Sequence, residues 1–141
     1  QGYPTMLGKF PSMNGEDNVT LFRVEEMHLI AAETSLRAGN AADALSYLNN
    51  IPAIRGLGAD YYASATLENI LEERRKEFAF EGLRFHDLSR MGMDMPSVDP
   101  FKQTNDDLTG TPPAYGSYRY AYPIALSERN ANPNMVQNYG Y

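Results

Sequence analysis

The stretch LFRVEEMHLIAAETSLRAGNAADALSYLNN, Leu21–Asn50, decides how the rest of the chain is read. From Leu21 it runs without proline or internal glycine to Gly39, a residue suited to the left-handed conformation just past a helix end. Phe22, Leu29 and Leu36 recur at heptad spacing as an apolar ridge, with Glu26 and Glu33 beside it at the same interval. Val24, Met27, Ile30 and Ala31 fill much of the remaining circumference, so this first helix is expected to be covered on more than one side. Asn40 stands where a cap for a second helix belongs, Asp43 complements its free N–H groups, and Ala41, Ala44, Leu45 and Leu48 supply its apolar stripe. A turn this short forces the two helices to pack antiparallel as a hairpin.

Residues 1–20 carry Pro4, Gly8, Pro11, Asn14 and Gly15 and read as an irregular lead-in. Downstream, Pro52 ends or bends the second helix, and RGLGAD reads as a loop. Thr66 is an N-cap for a third helix that opens with Leu67, Ile70 and Leu71 and runs at least to Phe80. Gly82 marks a break before a fourth helical segment through Leu88 to Met91, closed by Gly92. The helical core is thus 21–92. Residues 93–121, rich in proline and glycine, form a long irregular loop, and 122–141 an irregular C-terminal tail. An extended piece is expected at Tyr120–Ile124 and a helical turn near Ser127–Asn130. The fold class is all-α, organised as one domain: 141 residues with 43% apolar content can bury one core.

A formal charge of −6 leaves no basic footprint for nucleic acid. The absence of cysteine removes disulfides and thiolate metal sites and leaves the compartment open. No apolar run approaches the roughly 20 residues of a membrane-spanning helix, and no charged-then-apolar signal opens the chain. A start at Gln1 reads as a processed product or a piece of something larger.

Within Glu73–Gly92, ERRKEFAFEGLRFHDLSRMG, charges sit where a core should be. If one helix continues through Gly82, Arg74 and Glu81 share the stripe of Leu67, Ile70, Leu71, Phe78, Phe85 and Leu88. A buried carboxylate persists only when paired and hydrogen-bonded, and arginine supplies a planar fork for that. Arg74 is therefore expected to meet Glu26 or Glu33 between helices; the alternative is exposed charges, with a kink at Gly82 rotating the face. Glu25-x-x-His28 has the spacing of carboxylate-bridged di-iron bundles, but the second Glu-x-x-His is missing because Leu83 precedes His86 by three. There is no Gly-rich phosphate loop, nucleophile elbow or cysteine nucleophile, so neither an enzyme, a metal nor a cofactor is expected.

Three segments in order carry a resemblance. RVEEMHLIAAETSLRAG, with Arg23, Glu26, Leu29, Ala32 and Glu33, is the first; Glu25 and Thr34 stand where the pattern has alanine. The second holds Glu73, Arg74, Glu77, Phe78, Glu81, Gly82, Arg84, Asp87, Leu88 and Arg90. The third, YPIALSERNANPNMVQNYGY, holds Pro123, Ile124, Glu128, Asn132, Pro133, Asn134, Gln137, Asn138, Gly140 and Tyr141. Together they resemble the C-terminal part of the SusD/RagB family, the surface glycan- and nutrient-binding lipoproteins of Bacteroidetes. The resemblance implies tetratricopeptide-like hairpins, of which Gly39, Ala44, Leu48 and Ile51 repeat a portion. It also implies that Arg23, Glu26, Glu33, Arg74, Glu77, Glu81, Arg84, Asp87 and Arg90 are architectural. The implied function is non-catalytic binding of an oligosaccharide or other nutrient, passed to a SusC-like TonB-dependent transporter at the outer membrane. Membrane attachment would be through a lipid anchor that this chain does not carry. Sugar binding needs aromatic platforms edged by polar groups, which outside the helices points to Asn105, Asp106, Tyr115, Tyr118 and Arg119. The alternative is a helical-hairpin interaction scaffold with no ligand pocket of its own.

Overall fold

A computed structural model describes residues 9–10, 14–96 and 112–141. Among them every regular element is helical, and the fold is all-α. The chain divides into two compact units, Gln1–Arg74 and Arg75–Tyr141.

In the first unit, α1 (Val24–Arg37) and α2 (Ala41–Ile54) form a tetratricopeptide-like antiparallel hairpin. Gly39, at φ +83°, makes the turn: its N–H donates to the Leu36 carbonyl and the Asn40 N–H to the Ser35 carbonyl, which satisfies the last carbonyls of α1. The hairpin closes over Leu29, Ala32, Ala44, Leu48 and Ile51, all fully buried. Each large aliphatic side chain withdrawn from water contributes about 1.5–3 kcal/mol, and the two alanines let the backbones approach closely.

Three expectations about this unit are corrected. α1 begins at Val24, because Arg23 is extended and lacks a side-chain cap bond; Leu21 and Phe22 lie outside the helix, and Phe22 is 82% exposed. Among the described residues α1 is covered on one face: Leu29, Ala32 and Glu33 are buried while Val24, Met27 and Ile30 are exposed. Asn40 holds the N-cap position of α2 but makes no side-chain cap bond. Pro52 lies inside α2 with its ring buried; the helix ends two residues later at Ile54, and the Leu57 N–H then donates to the Pro52 carbonyl.

α3 (Leu67–Glu77) opens as read from the sequence, with Thr66 Oγ1 accepting the Asn69 N–H at 3.1 Å. It ends at Glu77, short of Phe80, which takes a positive φ of 68° and is exposed. The second unit continues into α4 (Leu83–Arg90) from Gly82, also left-handed. The break means that 67–90 is not one continuous helix, so the single stripe joining Arg74 to Glu81 does not exist. Beyond it lie a 3-10 turn at Tyr118–Tyr120, inside the stretch expected to be wholly irregular, and α5 (Leu126–Ala131). The extended run starts at Ala121, since Tyr120 belongs to that turn.

Candidate functional site

Charged side chains of the first unit are paired within and between its helices. Arg74, only 6% exposed, places Nη2 3.8 Å from Glu26 Oε1 on α1. Glu33 is buried, and its Oε1 accepts from both Nη2 and Nε of Arg37 one turn on, at 2.8 and 3.0 Å. Glu25 lies 3.5 Å from Arg23 and 3.0 Å from Arg55, linking α1 to the end of α2. His28 instead lies 3.4 Å from the Asn50 amide and beside the Tyr47 ring. Among the described residues no group of three His, Asp or Glu side chains is placed to hold a metal.

Two polar residues here escaped sequence reasoning. Asn49 is buried on α2 and brackets the backbone of Tyr62: its Oδ1 accepts the Tyr62 N–H at 2.9 Å and its Nδ2 donates to the Tyr62 carbonyl at 3.0 Å. The loop so pinned brings the Tyr62 hydroxyl to Glu73 Oε2 at 2.7 Å, and Glu73 is 5% exposed. Loss of water around the phenol, then the hydrogen bond to Glu73 and its charge, push the Tyr62 pKa well above the ordinary tyrosine value. Asn49 lies four residues after Leu45 at the edge of the apolar stripe of α2, but nothing local names the backbone of Tyr62 as its partner.

In the second unit Glu77 and Asp87 are buried, and Arg90 Nε donates to Asp87 Oδ1 at 2.9 Å across one helical turn. Glu81 is half-buried in the break and Arg84 half-buried in the first turn of α4.

Of the five expected ligand residues, Asn105 and Asp106 lie outside the described residues. The other three gather around an open cavity of about 260 Å³, whose walls include Phe85, Tyr120, Tyr122 and Tyr141, with Arg119 among its lining. Tyr115 and Tyr118 are not in the lining; they stand behind it. The Tyr115 ring meets Tyr120 edge-on at 5.7 Å, and Tyr118 meets Tyr141 edge-on at 5.2 Å. Phe85 packs on Tyr120 at 5.7 Å. The hydroxyls of two wall residues are committed: Tyr120 donates to the Met93 carbonyl and Tyr141 to the Ala121 carbonyl at 2.8 Å. Tyr122 is 89% exposed.

The tail amides act on backbone. Gln137 pairs with Ile124 as a strand would, its Oε1 accepting the Ile124 N–H at 2.7 Å and its Nε2 donating to the Ile124 carbonyl at 3.1 Å. Asn138 Nδ2 donates to the Tyr122 carbonyl at 2.6 Å. Gly140 takes φ +94° against the Tyr118 ring, where a Cβ would fall 2.3 Å from Cγ. The paired amides and the glycine of the third segment thus hold 121–124 and carry the Tyr141 ring to the cavity.

A model of the SusD family matches residues 8–141. The starch-binding protein SusD of Bacteroides thetaiotaomicron is 32% identical over 140 residues, which is 99% of this chain and 24% of that protein. A SusD-like protein of Formosa agariphila is 28% identical, over 91% of this chain and 25% of its own length. Among solved structures, a SusD superfamily protein from Bacteroides vulgatus superposes with a TM-score of 0.71 at 32% identity, over 90% of this chain and 29% of that one. Another, from Bacteroides thetaiotaomicron, superposes with a TM-score of 0.63 at 33% identity, covering 92% and 30%. The chain spans about a quarter of the length of the curated relatives it matches.

Proposed function

Since the chain belongs to the SusD family, we propose that it serves as the C-terminal portion of a non-catalytic glycan- or nutrient-binding component of an outer-membrane uptake system. Its partner in that system is a SusC-like TonB-dependent transporter, and the whole protein works at the cell surface, attached by a lipid anchor. The observation that carries this reading is the match over residues 8–141, joined to a relative named for binding starch at 32% identity across nearly the whole chain. The helical charges then serve the scaffold: Arg74, Glu33 and Asp87 sit against other side chains in the helices, leaving recognition to the irregular periphery.

Affinity electrophoresis of the full-length protein through gels containing starch and other soluble polysaccharides tests the reading. Retardation by at least one glycan is expected. Unretarded migration of a folded sample in every gel would refute it.

A second reading, a helical-hairpin interaction scaffold without a ligand pocket, is favoured by the exposed apolar face formed by Val24, Met27 and Ile30 on α1. That reading takes over if every gel is negative while charge substitution at Met27 abolishes co-purification of the transporter.

A further inference from the structure

We propose that the cavity walled by Phe85, Tyr120, Tyr122 and Tyr141 is a glycan subsite that seats one neutral pyranose ring, with Tyr122 as its stacking platform. The inference rests on the glycan-binding reading above and adds to it a location and a ligand charge class.

Size comes first. At about 260 Å³ the cavity falls just below the roughly 300–1,000 Å³ typical of small-molecule pockets, enough for one sugar ring and too little for several. Because the cavity is open and Tyr122 is 89% exposed, the neighbouring sugars of a chain can pass over the ring edge without entering.

The walls select the chemistry. Tyr120 and Tyr141 have spent their O–H donors on backbone carbonyls, and their rings are braced by Tyr115 and Tyr118. What they offer is ring faces held in place, and an aromatic face carries partial negative charge that attracts the polarised C–H groups on one side of a pyranose. A cationic ligand would meet the same faces, but Arg119 in the lining opposes it. An anionic sugar would meet Arg119 favourably at close range, yet approaches a chain of net charge −6 against its field. A neutral ring incurs neither penalty.

The arrangement also gives the tail a role. Tyr141 reaches the wall only because Gln137, Asn138 and Gly140 clamp the last residues beside 121–124. The subsite is therefore assembled from α4, the turn at 118–120 and the C-terminus.

The test is two-dimensional amide NMR of the perdeuterated full-length protein titrated with maltotriose, cellotriose and mannotriose at millimolar concentration, with trigalacturonate as the acidic comparison. At least one neutral trisaccharide is expected to shift the amides of Arg119–Tyr122, more strongly than the uronate does. Tyr122→Ala, a change at an exposed ring, is expected to weaken that binding about two- to tenfold, the range for loss of one aromatic stacking partner. Shifts confined to other residues, no shifts with any neutral trisaccharide, or unchanged affinity in Tyr122→Ala would overturn the subsite. If the full-length protein is nevertheless retarded by a glycan gel, only the subsite falls; if it too migrates unretarded, the glycan-binding reading falls with it.

Discussion

Replacing Asn49 by alanine tests whether one buried amide organises the first unit. Its side chain makes two hydrogen bonds to the backbone of Tyr62, at 2.9 and 3.0 Å, across 13 residues of sequence. Each is worth about 1 kcal/mol net, and stranding the freed N–H and carbonyl adds up to about 1 kcal/mol apiece if the loop relaxes toward water, giving about 2–4 kcal/mol. Alanine is the better helix former by about 0.6 kcal/mol, which offsets part of this and leaves a net loss of about 1.5–3.5 kcal/mol. Against the roughly 5–15 kcal/mol that holds an ordinary domain folded, that is a large fraction. The assay is urea unfolding followed by circular dichroism at the helical band, comparing midpoints at constant slope. Asn50→Ala is the control, since its neighbouring amide has one long 3.4 Å contact to His28, and it is expected to stay within about 0.5 kcal/mol of the parent. Equal midpoints for Asn49→Ala and the parent, or equal losses at both positions, would refute the argument.

Three further outcomes follow from the same contacts. Arg74→Met keeps the volume but leaves Glu26 without its 3.8 Å counter-charge; because the Glu26 side chain is 19% exposed, the loss should sit below the 3–5 kcal/mol of a fully buried pair, at about 2–3 kcal/mol. A double-mutant cycle with Glu26→Gln should recover about 1 kcal/mol of it, and strict additivity would count against the pairing. Tyr62→Phe removes a phenol whose folded pKa is raised above its unfolded value of about 10, so that group's contribution is complete below about pH 10 and fades as pH rises further. The stability gap between parent and Tyr62→Phe should therefore be constant from pH 7 to about 9.5 and shrink above it; a gap that widens with pH would be the wrong sign. Gly140→Ala puts a methyl 2.3 Å from the Tyr118 ring at φ +94°, so the last residues should detach, losing the ring-current shift of Tyr141 and speeding proteolysis of the tail, at a cost of about 1–3 kcal/mol.

How much of this was legible depends on the range of the interaction. The hairpin, its turn at Gly39, the cap at Thr66 and the break near Gly82 are local features, and each follows from residue types within a few positions. The point at which α3 stops is less so, because Phe80 in a left-handed conformation violates the local preference of an aromatic residue. Of the residues read from the sequence as ligand-binding, Arg119 stands in the cavity lining, while Tyr115 and Tyr118 brace it from behind and Phe85, Tyr120, Tyr122 and Tyr141 do the lining. In an irregular segment no period tells which way a ring faces. The helical period sets Asn49 nearer the apolar stripe than Asn50, yet it does not reveal that Asn49 brackets the backbone of Tyr62.

By itself, the amino-acid sequence determined the helical class, the antiparallel hairpin and the acidic balance that disfavours polyanions, because these depend on periodicity, turn chemistry and composition, and it carried the family through three signature segments in order. The partners chosen by each buried charge and amide, the choice of Leu29, Ala32 and Glu33 as the buried face of α1, and the rings that line the cavity were decided only in three dimensions. Those outcomes depend on which residues distant in sequence arrive within a few ångströms of one another, and only the packed chain specifies that.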